Sequence, residues 1–336
     1  MGNRILVAPA PHIHGSLSTQ RLMLDVIIAL IPALAVSVYV FGWNVLLITA
    51  VSIGCCVLFE YLIQLLFVRG KQTVSNLSAV VTGLLLAMNM PATNDSLWIV
   101  AIGALVAIGV AKMPFGGLGK NPFNPAIVAR VFLLIAYPVQ MTSFAMPSTE
   151  GFVDAYSGAT PLAAAKAGLV NFVEYDTLGM FTGEIAGSFG EVATAALLLG
   201  FIYLLVRRVI TWHIPVTILG TMAIFAAIYG AVSFDNPHLV DAVSFNTLHL
   251  VSNFTLFHLL AGGAVLGAVF MATDYVTSPM TPWGMVVYGI GIGALTMTIR
   301  LWGAYPEGMS FAILIMNSVV PLINKYIKPR RFGSKK

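Results

Sequence analysis

An all-α polytopic membrane protein of about ten transmembrane helices, in two inverted five-helix repeats around a roughly 50-residue extracytoplasmic loop, is the fold class that three observations predict. The first is composition: 58% of the 336 residues are hydrophobic and only 9% charged, against about 25% charged in soluble domains. The second is the placement of basic residues along the chain. The third is an internal repeat.

Apolar runs long enough, or nearly long enough, to cross a bilayer fall at 22–41, 45–67, 74–90, 96–112, 125–138, 190–206, 213–233, 254–272, 283–301 and 308–327. About 20 apolar residues span the hydrocarbon, and shorter helices cross where protein surrounds them. The third and fifth runs are short, with Gly, Asn or Pro nearby, the mark of interrupted segments beside a site. The N-terminus, "MGNRILVAPAPHIHGSLSTQR", has no apolar stretch behind its first charge, so no cleaved signal peptide is expected.

With the N-terminus inside, Arg4, Arg21, Arg69, Lys71, Lys112, Lys120, Arg130, Arg207 and Arg208 fall inside, as do Lys325, Lys328, Arg330, Arg331, Lys335 and Lys336. Only Lys166 and Arg300 fall outside. This asymmetry orients the chain with both termini cytoplasmic. Acids collect on the outer loops instead: Asp95, Glu150, Asp154, Glu174, Asp176, Glu184, Glu191, Asp235, Asp241 and Glu307.

At an offset of 185, "AMNMPATNDSLWIVAIGALVAIGVA" lies over "ATDYVTSPMTPWGMVVYGIGIGALT", Asn89 meeting Asp274 and Trp98 meeting Trp283. Five helices per half is an odd number, so the second half is inverted, an arrangement that encloses a site near the midplane. The chain then divides into a cytoplasmic tail (1–21), a first repeat (22–138), the outer loop (139–189), a second repeat (190–327) and a basic cytoplasmic tail (328–336).

Several motifs have a plain reading beside a functional one. "GGLGKNPFNPA" (116–126) is a turn and helix cap, or a place where backbone and Lys120 approach a ring or phosphate. Its NPA triplet has no second copy, because the repeat places Met309, Ser310 and Phe311 over it. Intramembrane acids are expensive and mark function. Asp25 sits at the membrane interface or pairs with Arg21, whereas Glu60 lies deeper, on one face with Gln64; both acids, Glu60 before Asp25, are candidates for ion or proton handling. Cys55 and Cys56 are adjacent on one apolar run, unsuited to a disulfide framework, and the six histidines show no metal pattern. In "VDAYSGATPLAAAK" (153–166), Thr160 and Pro161 form a helix start, with Thr as N-cap and Pro at the first position. The same hydroxyl is equally a point of covalent attachment.

The segments "APHIHGSLSTQRLMLDVIIALIPA", "GKNPFNPA", "SGATPLA" and "MATDYVTSPMTP", in this order nearly end to end, resemble the family that contains the D subunit of the Rnf complex, an ion-translocating ferredoxin:NAD oxidoreductase. The chain is also similar to the B subunit of the sodium-translocating NADH:quinone reductase, but its N-terminal opening is closer to the Rnf version. The resemblance implies a flavoprotein. FMN would be joined through its phosphate to the Thr160 hydroxyl, and Asp154, Ser157, Gly158 and Ala159 would be recognised by a flavin transferase that uses FAD as donor. It also implies a second, non-covalent flavin (riboflavin), for which Lys120, Asn121, Asn124, Asp274 and Thr277 are candidate lining. The family pattern has Pro where Tyr275 stands, which bears on the local turn. A phosphate ester beside a helix N-terminus would be favoured by free N–H groups and the macrodipole.

The function implied is electron transfer within a bacterial or archaeal cytoplasmic (inner) membrane complex that couples ferredoxin and NAD to outward Na⁺ or H⁺ movement, the flavin loop being extracytoplasmic. No motif for iron–sulfur clusters or NAD occurs here, so NADH-binding, iron–sulfur and second flavin-carrying subunits are expected partners, along with the lipid bilayer; no nucleic acid or metal is. The rivals are the quinone-reductase subunit and, from another class, a non-redox channel or secondary transporter built on the same inverted repeat.

Overall fold

The computed structural model describes residues 18–67, 72–93, 96–146, 157–167, 176–234 and 247–328. Among the described residues it is mostly helical, with one pair of two-residue strands. Helix α1 (Thr19–Phe41) starts where Ser18 Oγ accepts the Arg21 N–H at 3.3 Å, and stops at Gly42. Helix α2 (Asn44–Leu66) returns beside it. A 3₁₀ turn (Val74–Asn76) then leads through Leu77, at φ 61°, into the short α3 (Ser78–Met88).

Helix α4 (Ser96–Leu105) runs on into a π-helical turn, Val106–Val110, and α5 (Pro125–Ala136) begins at the Asn124 cap. After α6 (Pro138–Thr142), strands β1 (Phe144–Ala145) and β2 (Ser157–Gly158) pair antiparallel, Phe144 opposite Gly158. The loop carries α7 (Pro161–Lys166), α8 (Thr177–Thr182) and α9 (Phe189–Val192), so its ordered composition does make helix. The remaining elements are α10 (Thr194–Val206), α11 (His213–Phe234), α12 (Thr247–Leu260), α13 (Ala264–Leu266) with a π turn at Gly267–Met271, α14 (Pro282–Trp302) and α15 (Met309–Tyr326).

Among the described residues, six helices are long and apolar enough to cross a membrane: 19–41, 44–66, 97–115, 213–233, 282–302 and 309–326. A seventh span exists if 249–260 and 264–271, bent by 59° at their junction, count as one. The other three expected spans are shorter apolar helices, α3, α5 and α10. Their ends are set by sequence: Asn89 folds its side chain back onto the Leu85 carbonyl at the end of α3, and Pro138 follows α5. Of these α3 is enclosed by protein, the condition for a short membrane helix, whereas α5 and α10 each keep an exposed face with Ile135 and with Leu199 and Ile202. Nine residues of α3, from Ser78 to Met88, are buried.

Helix α1 packs along α10, α2 along α3 and α4, α11 along α12 and α14, and α14 along α15, which also meets α5. The α1–α10 contact depends on Gly200: a Cβ there would stand 2.2 Å from the Ala29 carbonyl oxygen. Small residues of this kind let membrane helices approach closely. A second, smaller apolar cluster (Leu162, Met180, Ile185, Val192, Phe257, Ala261) holds the loop helices down on α12. Large exposed apolar side chains such as Ile31, Leu58, Ile135, Ile224 and Ile290 cover the outside of the bundle, as a lipid-facing surface requires.

Candidate functional site

Thr160 follows β2 and caps α7. Its backbone is extended (φ −62°, ψ 154°), its Oγ1 accepts the Ala163 N–H at 3.2 Å, and Pro161 occupies the first helical position. The cap reading of "ATPLAAAK" is therefore correct, and it places the hydroxyl at the head of α7. Thr160 is 4% exposed, whereas Ala159 beside it is exposed. Ser157 and Gly158 form β2, and Asp154 lies outside the described residues. At the other end of α7 the Lys166 ammonium donates to the carbonyls of Ile299, Arg300, Gly303 and Tyr305. Partial burial pulls that ammonium below its ordinary value.

The second group of expected residues is partly brought together. A cleft of about 90 Å³ is lined by Asn121, Asn124 and Asp274, together with Lys112, Thr82 and Tyr275. Asn124 caps α5 through Oδ1 (Ala126 N–H, 3.0 Å) and ties it to the π turn through Nδ2 (Met271 carbonyl, 3.1 Å). Asn121 Nδ2 donates to the Phe123 carbonyl at 2.9 Å. Burial raises the Asp274 carboxyl, opposed by the Val276 N–H and the Thr277 hydroxyl, which donates at 3.2 Å. Thr277 itself is buried outside the lining, and Lys120 is exposed, folded over Gly116. The cleft has polar donors and acceptors suited to the edge of a heterocycle. Its volume is below the ~300–1,000 Å³ usual for a whole small-molecule site.

The two intramembrane acids have counter-ions that the sequence does not reveal. Glu60 is 2% exposed and accepts from Lys112 Nζ at 2.6 Å; Lys112 also donates to Ser78 Oγ at 2.8 Å, and Gln64 reaches Glu60 at 3.4 Å. The expected Glu60–Gln64 face is present, with Lys112 added from the end of α4. Asp25 accepts from Tyr203 Oη (2.9 Å) and from Arg207 Nε (3.3 Å), both from the α10 end of the bundle.

A further buried polar cluster is one that motif reading misses. Arg130, buried on α5, donates to Asn89, Glu191 and Glu307, which come from three separate parts of the chain. Arg300 lies alongside and donates to the His258 and Ala261 carbonyls. Treating Arg130 and Arg300 only as loop charges for orientation conceals this; each stands inside an apolar run, the signal that could expose them. Leu162 of α7, Arg300 and Glu307 converge around Gly262, so the Thr160 helix rests against this cluster. No group of three His, Cys, Asp or Glu residues able to hold a metal occurs among the described residues.

A family model described as the NQR2, RnfD, RnfE family matches residues 6–333. The chain is 44% identical to the D subunit of the Na⁺-translocating ferredoxin:NAD⁺ oxidoreductase complex of Acetobacterium woodii, over 98% of its own length and 95% of the relative's. It is 39% identical to the D subunit of the proton-translocating ferredoxin:NAD⁺ oxidoreductase complex of Clostridium ljungdahlii, over 99% and 98%. With the D subunit of the ion-translocating oxidoreductase complex of Stutzerimonas stutzeri it shares 37% identity, over 94% and 92%.

Proposed function

The chain belongs to the NQR2, RnfD, RnfE family, and from that premise we propose that it is the membrane electron-transfer subunit of an ion-translocating ferredoxin:NAD oxidoreductase, carrying FMN on Thr160. The observation that carries the reading is the hydroxyl of "SGAT" held at the head of α7, in a chain whose relatives over nearly its full length are named as the D subunits of such complexes. Those names favour this role over that of a quinone-reductase subunit.

The cap geometry at Thr160 is compatible with a phosphate ester once the side chain, 4% exposed as it stands, is turned outward. The ester oxygen would keep a lone pair for the Ala163 N–H, so modification costs α7 none of its capping. Covalently bound FMN would supply one- and two-electron chemistry, and the protein's part is to hold it at fixed distance from its partners. Ser157, Gly158, Ala159 and Asp154 serve the transferase in this reading. The cleft bearing Asn121, Asn124 and Asp274 is the place for a second, non-covalent flavin, with Lys120 and Thr277 beside it. Iron–sulfur and nucleotide chemistry belongs to other subunits.

Two inverted halves remain part of the proposal. Support comes from matching neighbours: α2 packs on α3 and α4, and α11 on α12 and α14. The same reading puts both termini on the cytoplasmic side and the α7 loop on the other. Glu60 and Asp25 are the acids placed to handle an ion; unchanged ion-coupled turnover in Glu60→Gln would remove Glu60 from that role.

Peptide mass across Thr160 tests the central claim. Protein from a host with a flavin transferase is expected to carry the mass of FMN on this peptide and none in Thr160→Ala. An unmodified peptide from native protein would overturn the reading.

A further inference from the structure

The Thr160 hydroxyl is covered while α7 is docked. The side chain is 4% exposed, and its oxygen is engaged by the Ala163 N–H. Two contacts keep α7 in place. Leu162, near its start, is buried in the cluster of Met180, Ile185, Val192, Phe257 and Ala261. Lys166, its last residue, reaches across to the C-terminal end of α14, donating to Ile299 O (3.4 Å), Arg300 O (3.1 Å), Tyr305 O (3.2 Å) and Gly303 O. Ile299 O already accepts the Gly303 N–H at 2.8 Å, but carbonyls at and just past a helix C-terminus are in general short of backbone donors, and an ammonium there is favoured by the dipole as well. Among the described residues, this is the one lysine ammonium that reaches from the loop helices to a bundle helix.

We infer that Lys166 is the positioning residue of the Thr160 tether: its grip on the end of α14 keeps α7 docked with the hydroxyl inside, must loosen for the Thr160 end to turn out and take FMN, and afterwards, with that end still turned out, limits the motion of the attached flavin. The inference rests on the reading of Thr160 as the FMN site. In the transfer, Thr160 Oγ1 bonds to the FMN phosphorus of FAD, the pyrophosphate P–O bond breaks, AMP departs, and the hydroxyl proton passes to a base on the transferase. Oγ1 cannot reach a second protein's active site while its own side chain is inside. The opening step therefore precedes the chemical one, and Lys166 sets how often it occurs.

The test uses the full-length chain, made without transferase, purified in detergent, then incubated with flavin transferase and FAD. Lys166→Ala is expected to take up FMN at least about tenfold faster than the unaltered protein, the effect of losing one charge-assisted hydrogen bond. Its attached flavin should show lower fluorescence anisotropy at an unchanged peptide mass. Lys166→Arg, which keeps a charged donor, should restore both values. Leu162→Ala, which loosens the other end of α7 and leaves Lys166 intact, should also speed uptake. Equal rates and anisotropies in wild type, Lys166→Ala and Lys166→Arg would overturn the latch while leaving the FMN site standing, and so would slower uptake in Lys166→Ala. No flavin on Thr160 in any of them would overturn the site and the latch together.

Discussion

Glu60 and Lys112 show how a single buried residue changes meaning with its neighbour. A lone carboxylate in an apolar helix is a functional candidate because desolvation is so costly. Here Lys112, 3% exposed at its side chain, stands 2.6 Å away and meets that cost in part. Removing one partner leaves the other charged and buried, which costs about 3–5 kcal/mol, whereas replacing both by apolar residues is near neutral. Lys112→Ala should therefore unfold well below the wild type in detergent, and Glu60→Leu/Lys112→Met should recover most of the loss. A Lys112→Ala protein as stable as wild type would show that the pair is solvated. Asn124 is the second residue of this kind, because its amide caps α5 and holds the Met271 carbonyl. Asn124→Ala should cost about 1–2 kcal/mol from the cap alone, measured by thermal unfolding. Had the cap been idle, Ser and Ala at this position would be equally stable.

At the level of elements, the short helices and the bends carry the architecture. Helices α3, α5 and α10 are too short to cross alone, and close contact with longer neighbours replaces lipid around α3 and over one face of α5 and α10. The π turns at Val106–Val110 and Gly267–Met271 lie just before Lys112 and Asp274, so both irregular helix ends deliver a charged side chain to the same cleft. Irregular helical turns are frequent at functional sites. The α1–α10 contact is the sharpest packing constraint. Gly200→Ala sets a methyl 2.2 Å from the Ala29 carbonyl oxygen, so the helices must part. Overpacking of this sort costs about 1–3 kcal/mol, and denaturant unfolding of Gly200→Ala should show at least that. A neutral result would mean that α1 and α10 slide freely. Pro32 stands in α1 three residues after Ala29, but nothing in the spacing names Gly200 as the partner, which is why only the packed structure reveals the contact.

For the molecule as a whole, Arg130 is the tie. It brings together Asn89 after α3, Glu191 before α10 and Glu307 between α14 and α15. Breaking such a set strands two carboxylates at once. Arg130→Ala is expected to lower stability by more than the ~3–5 kcal/mol of one buried pair. Glu307→Gln should be milder, since that side chain is 16% exposed and its amide still accepts. Equal effects from the two changes would mean that Arg130 serves only Glu307.

Composition, apolar run length and the caps at Asn124 and Thr160 determined by themselves that the chain is helical, membrane-borne and punctuated where it is. These are local quantities: hydrocarbon transfer adds along a run, and a cap involves residues three apart. The motifs around Thr160 and Asn124 were legible for the same reason. Only the tertiary structure decided which runs reach full length, that Thr160 lies covered, and that Glu60 meets Lys112, 52 positions on. It alone joined Arg130 to Glu191 and Glu307, 61 and 177 positions away. A buried charge must find its partner somewhere, but sequence spacing does not say where, because helix packing sets that distance.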